Sequence, residues 1–199
     1  MSTFWNDRYA TEGYVFGTAP AAFLPAHAGL IPFGASALCV ADGEGRNAVW
    51  LAEQGCAVTA FDVSENALAK AASLAETREV SVDFHQNGIE DWDWNRQYDL
   101  VLGCFIQFVG PPEQATLLNN LKRAVAPGGR LMLHGYTPEQ VALGTGGPGR
   151  EENMYTEALL RQHFGDMNIL RLATYEAHLN EGSGHKGRSA LIDLIADNV

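Results

Sequence analysis

Ala37-Leu38-Cys39-Val40-Ala41-Asp42-Gly43-Glu44-Gly45-Arg46-Asn47-Ala48, running on to Phe61-Asp62, is the stretch on which the fold turns. It reads as a short apolar strand, a glycine turn, a helix, a second strand and an acidic end. Gly43, Gly45 and Ala48 fit the pattern Gly-x-Gly-x-x-Gly/Ala. Asp62 follows at close to the spacing of a carboxylate that binds a ribose. Glycines let the chain turn tightly and approach a ligand. The helix N-terminus offers free N–H groups, and a carboxylate accepts from two ribose hydroxyls. In this strand–turn–helix–strand–Asp setting the pattern predicts a nucleoside-containing cofactor.

Outward from this stretch, strands and helices alternate. The first strand is read over 36–41 and the first helix over 47–54, with Gly55 as its stop. A second strand follows over 57–61. Ser64 caps a helix with Glu65 in its first turn, and Ala67, Leu68, Ala71, Ala72 and Ala75 form its apolar stripe. Strand three is 81–85. A polar, aromatic crossover, Asp91-Trp92-Asp93-Trp94-Asn95, leads to an almost wholly apolar strand over 98–105, as a buried parallel strand requires. Pro111-Pro112 opens a helix that ends at Pro127-Gly128-Gly129, and strand five is 130–134. The glycine-rich stretch 137–153 reads as one long functional or mobile loop. A helix over 155–164, a strand over 168–179, a turn over 180–187 and a strand over 188–195 complete the chain. The expected fold is α/β, Rossmann-like and doubly wound: a seven-stranded, mostly parallel sheet with a C-terminal antiparallel hairpin. Ligands are expected at the carboxyl ends of the first four strands.

The 199 residues suit a single domain with a sizeable core. Residues 1–35 lack a strand pattern and are rich in aromatics, so they read as an arm or flap over the cofactor turn, with Phe16 against the cofactor. Thirteen Lys and Arg against 24 Asp and Glu give a formal charge of −11. That argues against nucleic acid or an anionic membrane as partner and leaves a small-molecule substrate. Three cysteines without Cys-x-x-Cys spacing suit a reducing compartment. No signal-peptide pattern and no apolar run of membrane-crossing length are present, so a cytoplasmic protein is expected.

Two cofactor classes compete. The short-chain dehydrogenases need Tyr-x-x-x-Lys, and the residues four before Lys70, Lys122 and Lys186 are Asn66, Leu118 and Gly182. A nucleotide-dependent oxidoreductase is therefore the lesser alternative. The order of parts resembles the class I S-adenosylmethionine (SAM)-dependent methyltransferases over nearly the whole chain. The matching pieces are residues 38–47, Val58-Thr59-Ala60-Phe61-Asp62-Val63-Ser64, Tyr98-Asp99-Leu100-Val101, and Leu121 with Ala126-Pro127-Gly128-Gly129 before strand five. Phe4-Trp5-Asn6-Asp7-Arg8-Tyr9, the stretch from Tyr14 to Pro20 and Gly45-Arg46-Asn47 resemble the small bacterial branch of tellurite-resistance and thiol methyltransferases.

The resemblance implies roles. Asp62 would hold the ribose hydroxyls and Val63 would touch the adenine. Asn87, Gly88 and Ile89 would line the adenine, with Asn87 where an Asp is commoner. Backbone at Ala41, Gly43 and Cys104 would approach the methionine part. There are two departures: Cys39 stands at the usually acidic position of the first strand, and Ala41 stands for the usual glycine. Asp42, beside them, is the alternative carboxylate for the cofactor's ammonium group. A protein that binds SAM without turnover is the other alternative.

Methyl transfer from a sulfonium needs positioning more than acid–base machinery, so no triad is required. The histidines show no metal spacing, and a zinc site is rejected. Among them His185, in the expected glycine-rich turn, is the first candidate for the substrate side. Tyr14, Tyr136 and Arg150 join it. Arg46, a cation at a helix N-terminus, opposes the dipole. It is read either as offsetting a cofactor carboxylate or an anionic substrate, or as lying on a solvated face. Pro111-Pro112 is read as a helix start rather than a DNA-methylation motif, and Cys104 as a buried, inert thiol.

Overall fold

The computed structural model describes residues 2–199, leaving only the first residue of the N-terminal arm outside. The helices are α1 (Ser2–Arg8), α2 (Phe23–Ala26), α3 (Arg46–Glu53), α4 (Glu65–Thr77), α5 (Pro111–Ala124), α6 (Gln140–Leu143) and α7 (Glu157–Phe164). The strands are β1 (Ser36–Val40), β2 (Ala57–Asp62), β3 (Val82–Gln86), β4 (Tyr98–Cys104), β5 (Val125–Tyr136), β6 (Asn168–Glu181) and β7 (His185–Asp197). They form one seven-stranded sheet in the order β3-β2-β1-β4-β5-β7-β6. β1 to β5 pair in parallel, and β7 inserts antiparallel between β5 and β6. This is the α/β doubly wound sheet with a closing hairpin that the pattern implied. The order reverses beside β1, which opens a crevice at the carboxyl ends of β1 and β4.

β1 is central and fully covered: Ala37, Leu38 and Cys39 are 0% exposed. Ser64 caps α4 by accepting from Ala67 N–H at 3.1 Å. Gly45, at φ +83°, begins α3, and a Cβ there would lie 2.6 Å from the Ala71 Cβ. The second glycine of the turn therefore serves helix–helix packing, bringing α3 close to α4.

Several boundaries differ from the sequence reading. The β3–β4 crossover contains no helix. Its tryptophans cover the sheet instead: Trp92 stacks on Phe61 at 4.5 Å, and Trp92 and Trp94 are 7% and 4% exposed. The aspartates between them hide this burial from any periodicity count. α5 ends at Ala124, so Pro127-Gly128-Gly129 is an irregularity inside β5, where the register with β4 shifts between Tyr98 and Leu100. The 137–153 stretch holds α6 and a short 3₁₀ turn over Glu151–Asn153. The last hairpin is longer than expected and pairs from Asn168–Asp197 to Glu181–His185. His185 thus starts a strand and does not sit in the turn. No helix among the described residues is long and apolar enough to cross a membrane.

Candidate active site

A cleft of about 1020 Å³ opens over the carboxyl ends of the parallel strands. Its floor is the loop after β1 (Ala41, Asp42, Gly43), the end of β2 (Asp62, Val63), the turn after β3 (Asn87, Gly88, Ile89) and the end of β4 (Cys104, Phe105). Tyr136, His185 and the glycine loop with Arg150 close one end; Phe4, Trp5, Arg8, Tyr9 and Phe16 of the arm cover the other side.

At the centre, Asp62 Oδ2 accepts from Gly43 N–H and its Oδ1 from Ser64 N–H, both at 2.9 Å. Desolvation raises the Asp62 carboxyl above its ordinary range, against the backbone bonds that lower it. Each oxygen keeps a lone pair for another donor. Asp42 accepts from Ala48 N–H at 3.1 Å. Desolvation at the cleft floor pushes its carboxyl up to about 7, against the pull of that bond and the Arg46 charge. It has no ion-pair partner among the described residues. Ala41 sits at φ +48°, a left-handed conformation that a glycine adopts without strain.

Glu44, inside the glycine turn, faces away from the ligand side. It is 3% exposed, pairs with Lys70 at 2.9 Å, and accepts from Val15 N–H at 2.8 Å. The turn thereby holds the arm. Asn6 adds a second anchor: its Oδ1 accepts from Ser64 Oγ and Asn66 N–H, both at 3.0 Å. The fixed arm brings Tyr9 over the turn, so that a Cβ on Gly43 would meet the Tyr9 hydroxyl at 2.7 Å.

The far end is aromatic. Phe105, at φ +57°, places its ring 4.2 Å from His185 and 4.8 Å from Tyr136. Phe16 lies 4.5 Å from His185. Gln107 clasps the Tyr136 backbone, donating to its carbonyl at 2.8 Å and accepting from its N–H at 2.6 Å. The Tyr136 hydroxyl is enclosed without a partner, and desolvation pushes its pKa up. Desolvation also pushes the Cys104 thiol up, which keeps it protonated and inert.

Arg46 is not on a solvated face. It is 6% exposed and donates to Glu181 at 2.7 Å and to the Phe16 carbonyl at 3.2 Å. Its charge is answered within the chain. Tyr14 does not reach the cleft. Its hydroxyl donates to the Lys70 carbonyl at 3.0 Å, and its ring packs beside Val49 and Leu74. Arg150 is exposed on the cleft rim. Gly45 lies under the turn, against Ala71. The other candidates named from sequence line the cleft.

Sequence reasoning placed Trp5, Arg8 and Tyr9 in the arm but gave them no role in the site. It missed Phe105 and Gln107, which follow a strand without any motif. It missed Glu181, whose partner Arg46 is 135 positions away. No group of three His, Cys, Asp or Glu side chains suited to a metal ion occurs among the described residues.

Residues 37–129 match a protein family described as a methyltransferase domain. A curated protein of Geobacillus sp. (strain WCH70), named as a methyltransferase, is 39% identical over 64 residues, which cover 32% of this chain and 26% of that protein. The chain thus spans about a quarter of that relative's length. Among solved structures, a protein from work on conversion of a disulfide bond into a thioacetal group during echinomycin biosynthesis superposes with a TM-score of 0.77 at 18% identity, covering 99% of this chain and 89% of that one. TehB from Haemophilus influenzae gives a TM-score of 0.74 at 18% identity, with 100% and 67% covered. The N-methyltransferase NodS from Bradyrhizobium japonicum WM9, in complex with S-adenosyl-L-homocysteine, gives 0.72 at 15% identity, with 99% and 97% covered.

Proposed function

We propose that the chain, whose residues 37–129 match a methyltransferase domain family, transfers a methyl group from SAM to a small-molecule nucleophile, a thiol or related chalcogen species. The observation that carries this reading is Asp42. A carboxyl group on the cleft floor, raised to about 7 by desolvation and lacking a cationic partner among the described residues, fits an ammonium group. SAM offers one on its methionine part. Asp62 supplies acceptors for the ribose hydroxyls. Val63, Gly88 and Ile89 supply the adenine slot, with Asn87 at its edge.

When bound, SAM supplies an activated methyl group. The residues of the chain then have three tasks: to orient, to exclude water and to admit the acceptor. Orientation alone contributes roughly 7–11 kcal/mol in favourable cases. Phe16, Phe105 and Tyr136 dry the acceptor end, where His185 and, on the rim, Arg150 face the entering molecule. An apolar, aromatic end suits a soft nucleophile. The neighbour from the echinomycin work, itself concerned with sulfur chemistry, points the same way.

The test is turnover of methyl-labelled SAM with a panel of small thiols, selenite and tellurite. Label transferred to any acceptor supports the reading. SAM binding with no product on any of them reduces the protein to a SAM binder.

A further inference from the structure

Glu181 and His185 face each other across the tip of the closing hairpin, and their surroundings give them unequal work. His185 is 7% exposed and is packed by the rings of Phe16, Phe105 and Tyr136. Its Nδ1 is enclosed, without a hydrogen-bond partner, 3.7 Å from Glu181 Oε2. Its Nε2 has no partner among the described residues and is not among the enclosed atoms, and the ring lines the cleft. Glu181 is held from two other sides: Arg46 donates to it at 2.7 Å and Ala22 N–H at 3.0 Å.

Desolvation works against the Glu181 charge, but the neighbouring His185 imidazole, the Arg46 charge and the Ala22 amide outweigh it and hold the carboxyl at about 2. Glu181 is therefore an ionised acceptor. Desolvation lowers the His185 pKa, partly offset by Glu181, with Arg46 and His134 adding to the lowering. The imidazole is neutral near pH 7. A neutral ring beside a fixed carboxylate carries its proton on Nδ1, toward that carboxylate, and presents the Nε2 lone pair to the cleft. Catalytic histidine contacts are often long before substrate arrives and tighten in the substrate complex; the 3.7 Å separation is of this kind. The charged and titratable groups around the ring are Glu181 on β6, Arg46 on α3, and His134 and Tyr136 on β5.

We infer that His185 is the general base of this site, that Glu181 is its positioning residue, and that the methyl acceptor is an X–H compound of thiol or phenol acidity on an apolar body. This rests on the methyl-transfer reading above. The acceptor's lone pair forms the X–C bond as the S–CH3 bond breaks and its electron pair stays on sulfur; the proton of X–H passes to Nε2. The imidazolium so formed is balanced by Glu181 and returns its proton to water after product leaves. A neutral imidazole takes a proton most readily from groups with pKa up to roughly 10, such as thiols and phenols. Fully deprotonated oxyanions and dialkyl chalcogenides have no proton to give and gain nothing from His185.

Long-range ¹H–¹⁵N spectra of the histidines, with S-adenosylhomocysteine as the probe and pH varied, test the arrangement without turnover. The expected wild-type result is the Nδ1–H tautomer for His185 with a pKa below the ordinary value. In Glu181→Gln the pKa falls further and the tautomer becomes mixed. An Nε2–H tautomer in the wild type, or an unchanged His185 in Glu181→Gln, overturns the inference. Turnover supplies the second arm. With phenylmethanethiol, an alkyl thiol that is almost wholly protonated near pH 6.5, His185→Gln loses roughly a hundredfold in kcat at that pH, the size of a general-base contribution, at unchanged SAM affinity. With dimethyl selenide it loses little. Equal losses on both acceptors overturn the base assignment while leaving methyl transfer standing. Failure of the wild type to bind SAM removes the underlying reading and the inference with it.

Discussion

Gly43 N–H donates to Asp62 Oδ2 at 2.9 Å, so the turn after β1 and the carboxylate at the end of β2 are one unit. Ser64 N–H holds the other oxygen at the same distance. Asp62→Ala removes both the proposed ribose acceptor and the brace on the turn. SAM affinity falls by roughly tenfold or more, the size expected for a lost charge-assisted hydrogen bond. Calorimetric titration measures it, and an unchanged Kd would sink the ribose assignment.

Asp42 makes the site pH-dependent. With its pKa near 7, the carboxylate fraction drops steeply between pH 8 and pH 6. If it holds the SAM ammonium, affinity falls by about tenfold over that interval. Asp42→Asn binds more weakly and loses this dependence. The same group sets a sign for stability. Its folded pKa lies above the unfolded value of 3.8, so its contribution is present below about pH 4 and is lost as pH rises through about 7. Urea midpoints across pH 4–8 are expected to fall less in Asp42→Asn than in the wild type.

Ala41 occupies the left-handed region at φ +48°. Ala41→Gly relieves roughly 1 kcal/mol of steric strain, offset in part by the added freedom of glycine in the unfolded chain. Thermal unfolding is expected to show a stability equal to the wild type or up to about 1 kcal/mol higher. A clear loss would mean that the Ala41 methyl group packs usefully.

Glu44 ties the arm to the turn. Glu44→Ala removes the anionic partner of Lys70, which keeps its bond to the Gly13 carbonyl, and leaves the Val15 N–H without its acceptor. The expected cost is roughly 2–4 kcal/mol. Amide exchange at Val15 and Phe16 accelerates in that variant while β1 and β4 stay protected. Uniform acceleration through the sheet would show that the arm is not an independently loosened element.

The stretch from Ala37 to Asp62 was legible because two periodicities and a turn chemistry agree within it. An apolar run, glycines at fixed offsets and a carboxylate at a fixed distance leave few alternatives. The closing hairpin was legible in kind but not in extent. β6 is half-exposed, and its polar end, Asn180-Glu181, looks like a turn when read locally. Gly187, at φ +122°, sits inside β7 and reads as a break. His185 was therefore singled out in the right neighbourhood but assigned to the wrong kind of backbone. The Arg46–Glu181 pair and the aromatic wall of Phe16, Phe105 and Tyr136 are products of topology. Their members come from three elements and two loops, and no local pattern connects them. Tyr14 shows the converse: it is close in sequence to Phe16, yet a single backbone turn sends its ring to the α4 side.

Trp5 lines the cleft, whereas Trp92 and Trp94 are buried under the sheet. Its fluorescence therefore reports directly on what enters. Titration with SAM and with NAD, on the wild type and on Asp62→Ala, tests the central claim most directly. The predicted result is saturable quenching by SAM, none by NAD, and a weakened response in the variant. Saturation by NAD, or no response to SAM at any concentration, would contradict the account.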